Sequence, residues 1–213
     1  MSKGVFITFE GINGAGKSTQ MHRVADLLLE AGYDVEMTRE PGGTPAAEAI
    51  RTVLLSPTSD PLTPTSEILL FVAARAQHVE RRIKPALERG AVVLCDRYSA
   101  SSVAFQCYGH GFPVSKFREL ERLALGDFVP DHCVVLDVDP REGLDRNAAL
   151  GEVDAIEHRS LEYHDRVREG FLAQATEAPN RFTVVDASQP VDRVYEAVLE
   201  AVTTCLDKAS RED

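Results

Sequence analysis

Residues 5–19 read Val-Phe-Ile-Thr-Phe-Glu-Gly-Ile-Asn-Gly-Ala-Gly-Lys-Ser-Thr, a β-branched and aromatic run that breaks into glycines before a helical pattern begins. Gly11 and Gly16 flank four residues ahead of Lys17 and Ser18. In this spacing successive backbone N–H groups point at an anion, with the N-terminus of the next helix behind them. The stretch therefore has the pattern of a phosphate-binding loop.

The loop predicts a nucleoside triphosphate site. Lys17 would reach the β- and γ-phosphates, and Ser18 would ligate Mg²⁺. A chance match is the alternative, but the motif also needs a strand before it and a helix after it, and 5–9 and 17–31 have those patterns. The residues expected to contact ATP are Gly11, Ile12, Asn13, Gly14, Ala15, Gly16, Lys17, Ser18 and Thr19.

Composition and charge restrict the class of protein. The 213 residues suit one α/β domain with a substantial core. The formal net charge of −11 disfavours non-specific binding to nucleic acid or to an anionic membrane, because the average field repels both. The N-terminal apolar run is too short for a signal sequence, and no stretch reaches the length of a membrane span. We therefore expect a cytoplasmic protein with no nucleic-acid or membrane partner.

The cysteines carry no pairing signal. Cys95, Cys107, Cys133 and Cys205 lie far apart along the chain, and two of them fall in apolar runs that are typical of buried strands. A disulfide or a metal site is the alternative. Buried free thiols in a reducing compartment are the simpler interpretation.

Apolar runs and helical patterns alternate along the rest of the chain. Strands are predicted at 34–38, 91–97, 131–139 and 181–186, and helices at 45–55, about 65–89, 99–108, 160–178 and 191–206. Because strands alternate with helices, we expect an α/β fold in which helices cover both faces of a five-stranded parallel sheet.

Three stretches are predicted to lie outside these elements. The proline-rich stretch 56–64 is a predicted loop, with Thr65 or Ser66 as the cap of the next helix. The polar, glycine-interrupted stretch 144–157 is predicted to be mobile, and the charged tail 207–213 is predicted to be frayed.

The stretch Arg39-Glu-Pro-Gly-Gly-Thr44 follows the second predicted strand. Its proline and glycines require a turn at the carboxyl end of that strand, which in an open parallel sheet is the ligand edge. We therefore expect Arg39 at the same edge as the phosphate loop. A surface turn that happens to carry an arginine is the alternative.

Phe71, Arg75 and His78 have the spacing of one helical face. An aromatic ring beside a guanidinium suits a planar heterocycle, because the ring can stack and the guanidinium can donate to a carbonyl group. Core packing is the alternative for Phe71 alone. A buried arginine, however, is costly without a partner.

The central run Ala91-Val-Val-Leu-Cys-Asp-Arg97 ends in a charged pair. Asp96 at the carboxyl end of a buried strand is a candidate to organise Mg²⁺, and Arg97 would face the phosphates. A solvated strand end is the alternative. Asp137, at the end of the next buried strand, is a weaker metal candidate because no arginine follows it.

These segments together resemble the bacterial thymidylate kinase family, from about residue 4 to about residue 206. The segments that carry the resemblance are Phe9-Glu-Gly with the phosphate loop, Thr38-Arg-Glu-Pro-Gly-Gly-Thr44, Phe71-Val-Ala-Ala-Arg-Ala-Gln-His78, Asp96-Arg-Tyr98, Leu125-Gly-Asp127 with Pro130-Asp131, and Asp154-Ala-Ile-Glu157. The resemblance implies a single nucleoside monophosphate kinase domain over 1–213, with a lid at about 141–157.

The resemblance also implies an acceptor site. Phe71 would stack on thymine and Arg75 would bond its carbonyl edge, while Arg39 and Arg97 would hold the monophosphate. Further positions match this site in the family. Ser102 and Gln106 would lie beside the base and Phe105 against the sugar, while Glu10 and Asp96 would lie near the acceptor phosphate and the metal. Pro41 follows Glu40 in a peptide bond that is cis in relatives.

The lid departs from the family pattern. Relatives whose phosphate loop lacks an arginine usually carry several in the lid, and here the stretch 146–155 retains only Arg146. Arg146 or Lys17 could suffice at a reduced rate, Arg141 or Arg159 could swing in, or the donor site could be retuned. Asp154 and Glu157 match acids at the end of the lid, and 187–188 matches a stretch near adenine.

The implied reaction is Mg²⁺-dependent transfer of the ATP γ-phosphoryl group to dTMP, giving dTDP. Lys17, Glu10, Asp96, Arg97 and Arg146 are its predicted catalytic residues, with Ser18 and Asp96 at the metal. Relatives are homodimers, so we expect a homodimer. Cys107 and His110 stand where relatives commonly have Gly and Arg, which leaves open a kinase for dUMP or a 5-substituted dUMP. A lid-impaired nucleotide-binding regulator is a further alternative.

Overall fold

The computed structural model describes residues 4–56, 59–149 and 159–212. In these ranges five strands form one all-parallel sheet in the order β2-β3-β1-β4-β5. The strands are β1 Val5–Glu10, β2 Val35–Arg39, β3 Val92–Asp96, β4 His132–Asp137 and β5 Phe182–Asp186. The predicted five-stranded parallel sheet is confirmed.

Helices cover the sheet within the described residues. They are α1 Lys17–Glu30, α2 Pro45–Leu55, α3 Pro64–His78, α4 Lys84–Glu88, α5 Ser99–Ser102, α6 Val114–Leu125, α7 Pro140–Ala149, α8 Leu161–Glu177 and α9 Val191–Glu212. Two π-helical segments, Val79–Ile83 and Val103–Gly109, continue α3 into α4 and extend α5.

Alternation along β1 shows that both faces of the sheet are packed. Ile7 and Phe9 belong to a core cluster with α1 and α9, whereas Phe6 belongs to a second cluster with residues of the segment 79–88. Successive side chains of a strand point to opposite faces, so these two clusters lie on opposite sides of the sheet. Among the described residues, no helix is both long and apolar enough to cross a membrane.

The start of α3 differs from the prediction. Thr63, not Thr65 or Ser66, is the N-cap, and its hydroxyl accepts a hydrogen bond from the Ser66 N–H at 3.2 Å. Pro64 occupies the first helical position, where its missing N–H costs nothing and its fixed φ suits a helix. The helical stretch therefore begins earlier than its apolar residues indicate.

Two predicted irregular segments are partly helical. α7 runs to Ala149, so 144–149, which were predicted to lie outside the helices, are helical, and 150–158 lie outside the described residues. α9 continues to Glu212, so the prediction of a frayed tail is wrong for 207–212. The physical reason in α9 is burial, because Cys205 and Leu206 belong to the core and Ala209 packs against it.

The helix α6 was missed by the sequence analysis. It packs against α3 through a small core cluster in which Phe117 is fully buried and Ile68 is its neighbour from α3. Phe117, Leu120 and Ala124 stand at helical spacing and face this cluster, so the sequence did contain a signal for the helix. All four cysteines are free and buried, as predicted.

The strand register places the candidate site residues. Phe9 is the register partner of Asp96, and Asp96 is also the register partner of Arg39. Glu10 pairs in register with Val135 of β4. Because all the strands are parallel, Glu10, Arg39 and Asp96 lie at the carboxyl edge of the sheet, where open α/β sheets bind ligands.

Replacing Phe117 with Ala should lower the free energy of unfolding by about 3–5 kcal/mol, because it removes a fully buried ring and leaves a cavity between α6 and α3. Urea unfolding measures the change. Lys116→Ala on the exposed face of α6 is the matched control, and it should change stability by less than about 0.5 kcal/mol. Equal stabilities of the two variants would contradict the packing role of α6.

Candidate active site

The phosphate loop connects β1 to α1 through three glycines with positive φ: Gly11, Gly14 and Gly16. A Cβ atom on Gly14 would lie 1.9 Å from the Gly143 carbonyl oxygen, so the loop packs closely against α7. This closeness, together with the positive φ, requires glycine at position 14. The loop is thereby positioned at the N-terminus of α1, as predicted.

Lys17 lies across the phosphate loop. Its Nζ donates to the Ile12 carbonyl oxygen at 3.0 Å, and the side chain is buried. Burial and the neighbouring charge of Arg97 lower the pKa of Lys17 to about 8. The ammonium group is therefore held beside the ring of loop amides, where a phosphate would replace the carbonyl as its partner.

The two predicted metal ligands contact each other. The Ser18 hydroxyl donates to Asp96 Oδ2 at 2.7 Å, across the gap between α1 and β3. Both supply hard oxygen donors, and Mg²⁺ commonly binds one or two protein oxygens together with substrate phosphates and water. Among the described residues, no group of three or more His, Cys, Asp or Glu forms a cage for a metal. The pair therefore fits Mg²⁺ delivered with a nucleotide.

Arg97 connects β3 to the phosphate loop. Its backbone has φ 70°, and its Nη1 donates to the Gly11 carbonyl oxygen at 2.8 Å. Its Nη2 donates to the Asn13 side-chain oxygen, and its guanidinium lies 4.9 Å from the centre of the Phe105 ring. The cation is therefore held between the loop and the adjoining cleft.

Glu10 is a fully buried carboxyl group beneath this site. Its Oε2 accepts a hydrogen bond from the Ser101 hydroxyl at 2.6 Å, and its Oε1 has no partner among the described residues. Burial raises the pKa of Glu10 to about 7, although the Ser101 hydroxyl and nearby cations such as Arg97 act in the opposite direction. The group can therefore change its protonation state near neutral pH.

A cleft opens beside the loop. It contains all eight residues predicted to bind the acceptor: Arg39, Pro41, Phe71, Arg75, Arg97, Ser102, Phe105 and Gln106. Asn13 and Asp96 also line it, so the cleft reaches the phosphate loop and the predicted metal ligands. The Glu40–Pro41 peptide bond is cis, as the resemblance implies.

Arg75 lies deep in the cleft and is only 2% exposed. Its Nε donates to Glu40 at 2.7 Å and its Nη2 donates to the Ser102 hydroxyl at 2.9 Å. Burial by itself would lower the pKa of Arg75, but the charges of Glu40 and Glu121 outweigh it and raise that pKa. The buried arginine thus has the partner that its position in an apolar helix requires.

The outer part of the cleft is cationic. Arg39 donates to the Pro41 carbonyl oxygen at 3.1 Å and pairs with Glu48 at 3.1 Å. Arg51 on α2 donates to the same carbonyl at 2.8 Å. Arg39, Arg51 and Arg97 therefore face one space that a phosphate group could occupy.

Sequence analysis missed five residues that line the cleft: Glu40, Arg51, Leu55, Tyr98 and Ser101. Arg51 and Leu55 are four residues apart in α2, so they share a helical face. That helix directly follows the turn at the ligand edge of the sheet. The place of α2 directly after this turn was the signal in the sequence that could have indicated Arg51 and Leu55.

Arg146 and Arg159, two of the arginines considered for the lid, do not line the cleft. Arg146 donates to the Ala187 carbonyl oxygen at 2.9 Å and pairs with Glu142 at 2.5 Å, so it lies beside the turn after β5 and not among the residues of the cleft. Arg159 lies 5.9 Å from the centre of the Tyr163 ring. Asp154 and Glu157 lie outside the described residues.

Asp137 has a structural partner. Both of its carboxylate oxygens accept hydrogen bonds from Arg168, at 2.7 and 2.8 Å. This bidentate pair joins the end of β4 to α8. The arrangement agrees with the lower rank that the sequence analysis gave Asp137 as a metal ligand.

The phosphate loop lies at the edge of a parallel sheet, next to a cleft that has one buried arginine at its deep end and three arginines at its outer end. This combination defines the chain as a P-loop nucleoside monophosphate kinase. The family profile described as thymidylate kinase matches residues 9–198. The chain belongs to the thymidylate kinase family.

Individual relatives agree with this assignment. The chain is 43% identical to a thymidylate kinase of Hahella chejuensis, over 97% of this chain and 99% of the relative. It is 48% identical to one of Thermomicrobium roseum, over 97% and 98%. A crystal structure of thymidylate kinase from Ehrlichia chaffeensis is similar with a TM-score of 0.77 and 35% identity, over 94% of this chain and 99% of that one.

Replacing Glu10 with Gln should remove a pH-dependent penalty on the folded state. The pKa of Glu10 rises from 4.5 to about 7 on folding, so between these values only the folded protein holds the proton. The stability that this group contributes is present below pH 4.5 and is lost as the pH rises through about 7. Between about pH 5 and about pH 8, the unfolding free energy of the wild type should fall by about 2–3 kcal/mol relative to Glu10→Gln, at about 1.4 kcal/mol per pKa unit.

Urea unfolding of both proteins at the two pH values measures this difference. Glu30→Gln, at an exposed position of α1, is the control for loss of a carboxylate and should follow the wild type. Identical pH dependence of wild type and Glu10→Gln would show that Glu10 is not shifted.

Proposed function

We propose that this protein transfers the γ-phosphoryl group of ATP to dTMP, giving ADP and dTDP. The observation that carries the proposal is the cleft itself, which joins a base-sized end at Phe71 and Arg75 to a cationic end beside the phosphate loop. Membership of the thymidylate kinase family favours dTMP over the alternatives of another pyrimidine acceptor or of a regulator without activity.

Binding of the acceptor would use the length of the cleft. The Phe71 ring would stack on the base, and Arg75 would donate to a base carbonyl group. Ser102 and Gln106 would contact the base edge, and Phe105 would lie against the sugar. Arg39, Arg51 and Arg97 would then hold the 5′-phosphate, because their guanidinium groups face the outer end of the cleft.

Donor binding would use the loop amides of residues 11–19 and Lys17. Mg²⁺ would be held by Ser18 and Asp96, and when bound it would neutralise charge on the β- and γ-phosphates. Because Arg97 bonds the loop backbone and also lines the cleft, it would contact the acceptor close to the transferred group. Arg39 and Arg97 together would set the acceptor oxygen in line with the donor.

Catalysis would come from positioning and electrostatic stabilisation. The acceptor phosphate is already anionic at neutral pH, so no strong general base is required. Lys17 and the arginines of the cleft would stabilise the charge that spreads over the transferred phosphoryl group. Glu10 would hold Ser101, and through it the local position of Arg97, since Ser101 also accepts from Arg97 at 3.2 Å.

We further propose a lid within the single domain 1–213, at about 141–157. The contact between Gly143 of α7 and Asn13 of the loop supports it, because a Cβ atom on Gly143 would lie 2.8 Å from the Asn13 carbonyl oxygen. Arg146 would then act from the adenine side, beside the Ala187 carbonyl oxygen to which it donates. A cytoplasmic location is supported by four buried free thiols.

A homodimer is the proposed assembly. α3 and α6 pack side by side, and each also presents a leucine to solvent: Leu69 is 47% exposed and Leu123 is 85% exposed. These two exposed leucines are the positions that we assign to the contact. A second copy of this chain is the occupant that we propose.

Replacing Lys17 with Ala should lower dTMP-dependent production of ADP by roughly two to three orders of magnitude, because it removes a charge that stabilises the transferred group. A coupled assay with saturating Mg·ATP and dTMP measures turnover, and calorimetry should show that dTMP binding is retained. Lys208→Ala, at an exposed position of α9, is the control. A folded wild-type protein without dTMP-dependent turnover would overturn the proposed function.

Replacing Leu123 with Glu should convert the dimer to a monomer, because it places a charge in the proposed apolar interface. Light scattering coupled to gel filtration measures the mass of each species. Leu29→Glu, at a 54% exposed position of α1, should remain dimeric. A monomeric wild type, or a Leu123→Glu variant of unchanged mass, would contradict the proposed assembly.

A further inference from the structure

Gln106 lies in the π-helical segment that follows α5, where it is 4% exposed and lines the cleft. Its side-chain Nε2 donates to Glu67 Oε1 at 2.9 Å. Glu67 belongs to the first turn of α3, outside the cleft lining. A residue behind the cleft thus determines how a residue of the cleft is oriented.

The chemistry of this hydrogen bond decides the orientation of the Gln106 amide. An amide can generally be turned by 180° without a change of shape, which exchanges its donor for its acceptor. A carboxylate only accepts hydrogen bonds, so the amide NH₂ must face Glu67. The amide oxygen then remains for a ligand in the cleft.

Two further features of the structure lie beside the Glu67 carboxylate. The first turn of a helix favours an anion, and α3 begins at a Thr63 cap just before Glu67. His110 Nδ1 lies 3.7 Å from the same Glu67 oxygen, and the His110 ring packs on Tyr163 with ring centres 5.0 Å apart. Gln106 and His110 therefore both lie beside Glu67 Oε1.

Arg75 supplies the complementary group. The Ser102 hydroxyl that accepts from Arg75 Nη2 lies four residues ahead of Gln106 in the same helical stretch. Arg75 can only donate hydrogen bonds, and it uses two of its N–H groups on Glu40 and Ser102. The lining of the cleft therefore includes a donor, Arg75, and an acceptor, the Gln106 amide oxygen, each oriented by its own hydrogen bonds.

We propose that Glu67 is a positioning residue that sets pyrimidine specificity by holding the Gln106 amide oxygen toward the substrate. This inference rests on the proposed function. A base edge with a ring N–H next to a carbonyl group, as in thymine or uracil, satisfies both the acceptor of Gln106 and the donor of Arg75. The cytosine edge has a ring nitrogen acceptor and an amino donor. In a cytosine complex the Gln106 oxygen would therefore face an acceptor and Arg75 would face a donor, which disfavours binding.

Glu67→Gln tests the proposal, because it keeps the size of the side chain but can donate as well as accept. The Gln106 amide then has two available orientations. We expect the ratio of kcat/KM for dTMP to kcat/KM for dCMP to fall roughly 10-fold to 100-fold. The loss for dTMP should lie mainly in KM, since the reacting phosphates are untouched. Glu67→Asp, which remains an acceptor, should retain more of the ratio than Glu67→Gln.

Two comparisons separate positioning from a general structural effect. Glu119→Gln, at an exposed position of α6, makes the same chemical change and should leave the ratio as in the wild type. In a Gln106→Leu background, Glu67→Gln should change the ratio no further, because the residue it acts through is gone. Should Glu67→Gln fail to fold, Glu67→Ala replaces it and should relax the ratio in the same direction.

A folded Glu67→Gln variant whose ratio stays within about twofold of the wild type would overturn the proposal. So would an equal change of the ratio in the Gln106→Leu background. Failure of the proposed function is distinguishable, because it would appear in the wild type as a lack of turnover with dTMP.

Discussion

Parallel pairing of β2, β3 and β1 in one register is the constraint on which the site depends. It brings Arg39 and Phe9 beside Asp96, and it ends the three strands at one edge. The phosphate loop, the turn after β2 and the segment after β3 all leave the sheet there. Residues that are far apart in the chain therefore meet without any long loop having to position them. Because they are attached to the ends of strands, the sheet fixes their relative positions.

The electrostatics of the site is local. The chain carries a net charge of −11, yet Arg39, Arg51 and Arg97 face one end of the cleft. Each is held by carbonyl or carboxylate oxygens of neighbouring segments, so little has to move when a phosphate binds. Glu10 is fully buried, and this burial raises its pKa to about 7 although the charges of Arg97, Arg75 and Lys17 act in the opposite direction. Preorganised cations of this kind stabilise the charge that develops on a transferring phosphoryl group.

Parts of the site that follow a strand or a strong local motif could be predicted. The phosphate loop, the Arg39 turn and the Asp96 end were located because glycine, proline and apolar runs restrict the backbone directly. Arg51 was missed because its role depends on how α2 lies over the cleft. α6 was missed although Phe117, Leu120 and Ala124 have helical spacing and pack with α3 in the core. The position of Arg146 beside Ala187 required knowledge of where α7 meets the turn after β5.

The sequence by itself determined the class of fold, the phosphate loop and the chemical types that line the cleft, since these follow from backbone preference and hydrophobic periodicity. Only the tertiary structure decided which side chains pair with one another. The contact of Ser18 with Asp96, the burial of Arg75 against Glu40 and the hydrogen bond from Gln106 to Glu67 each join segments at least 35 residues apart. Such pairs are set by the packing of helices on the sheet, which no local pattern specifies.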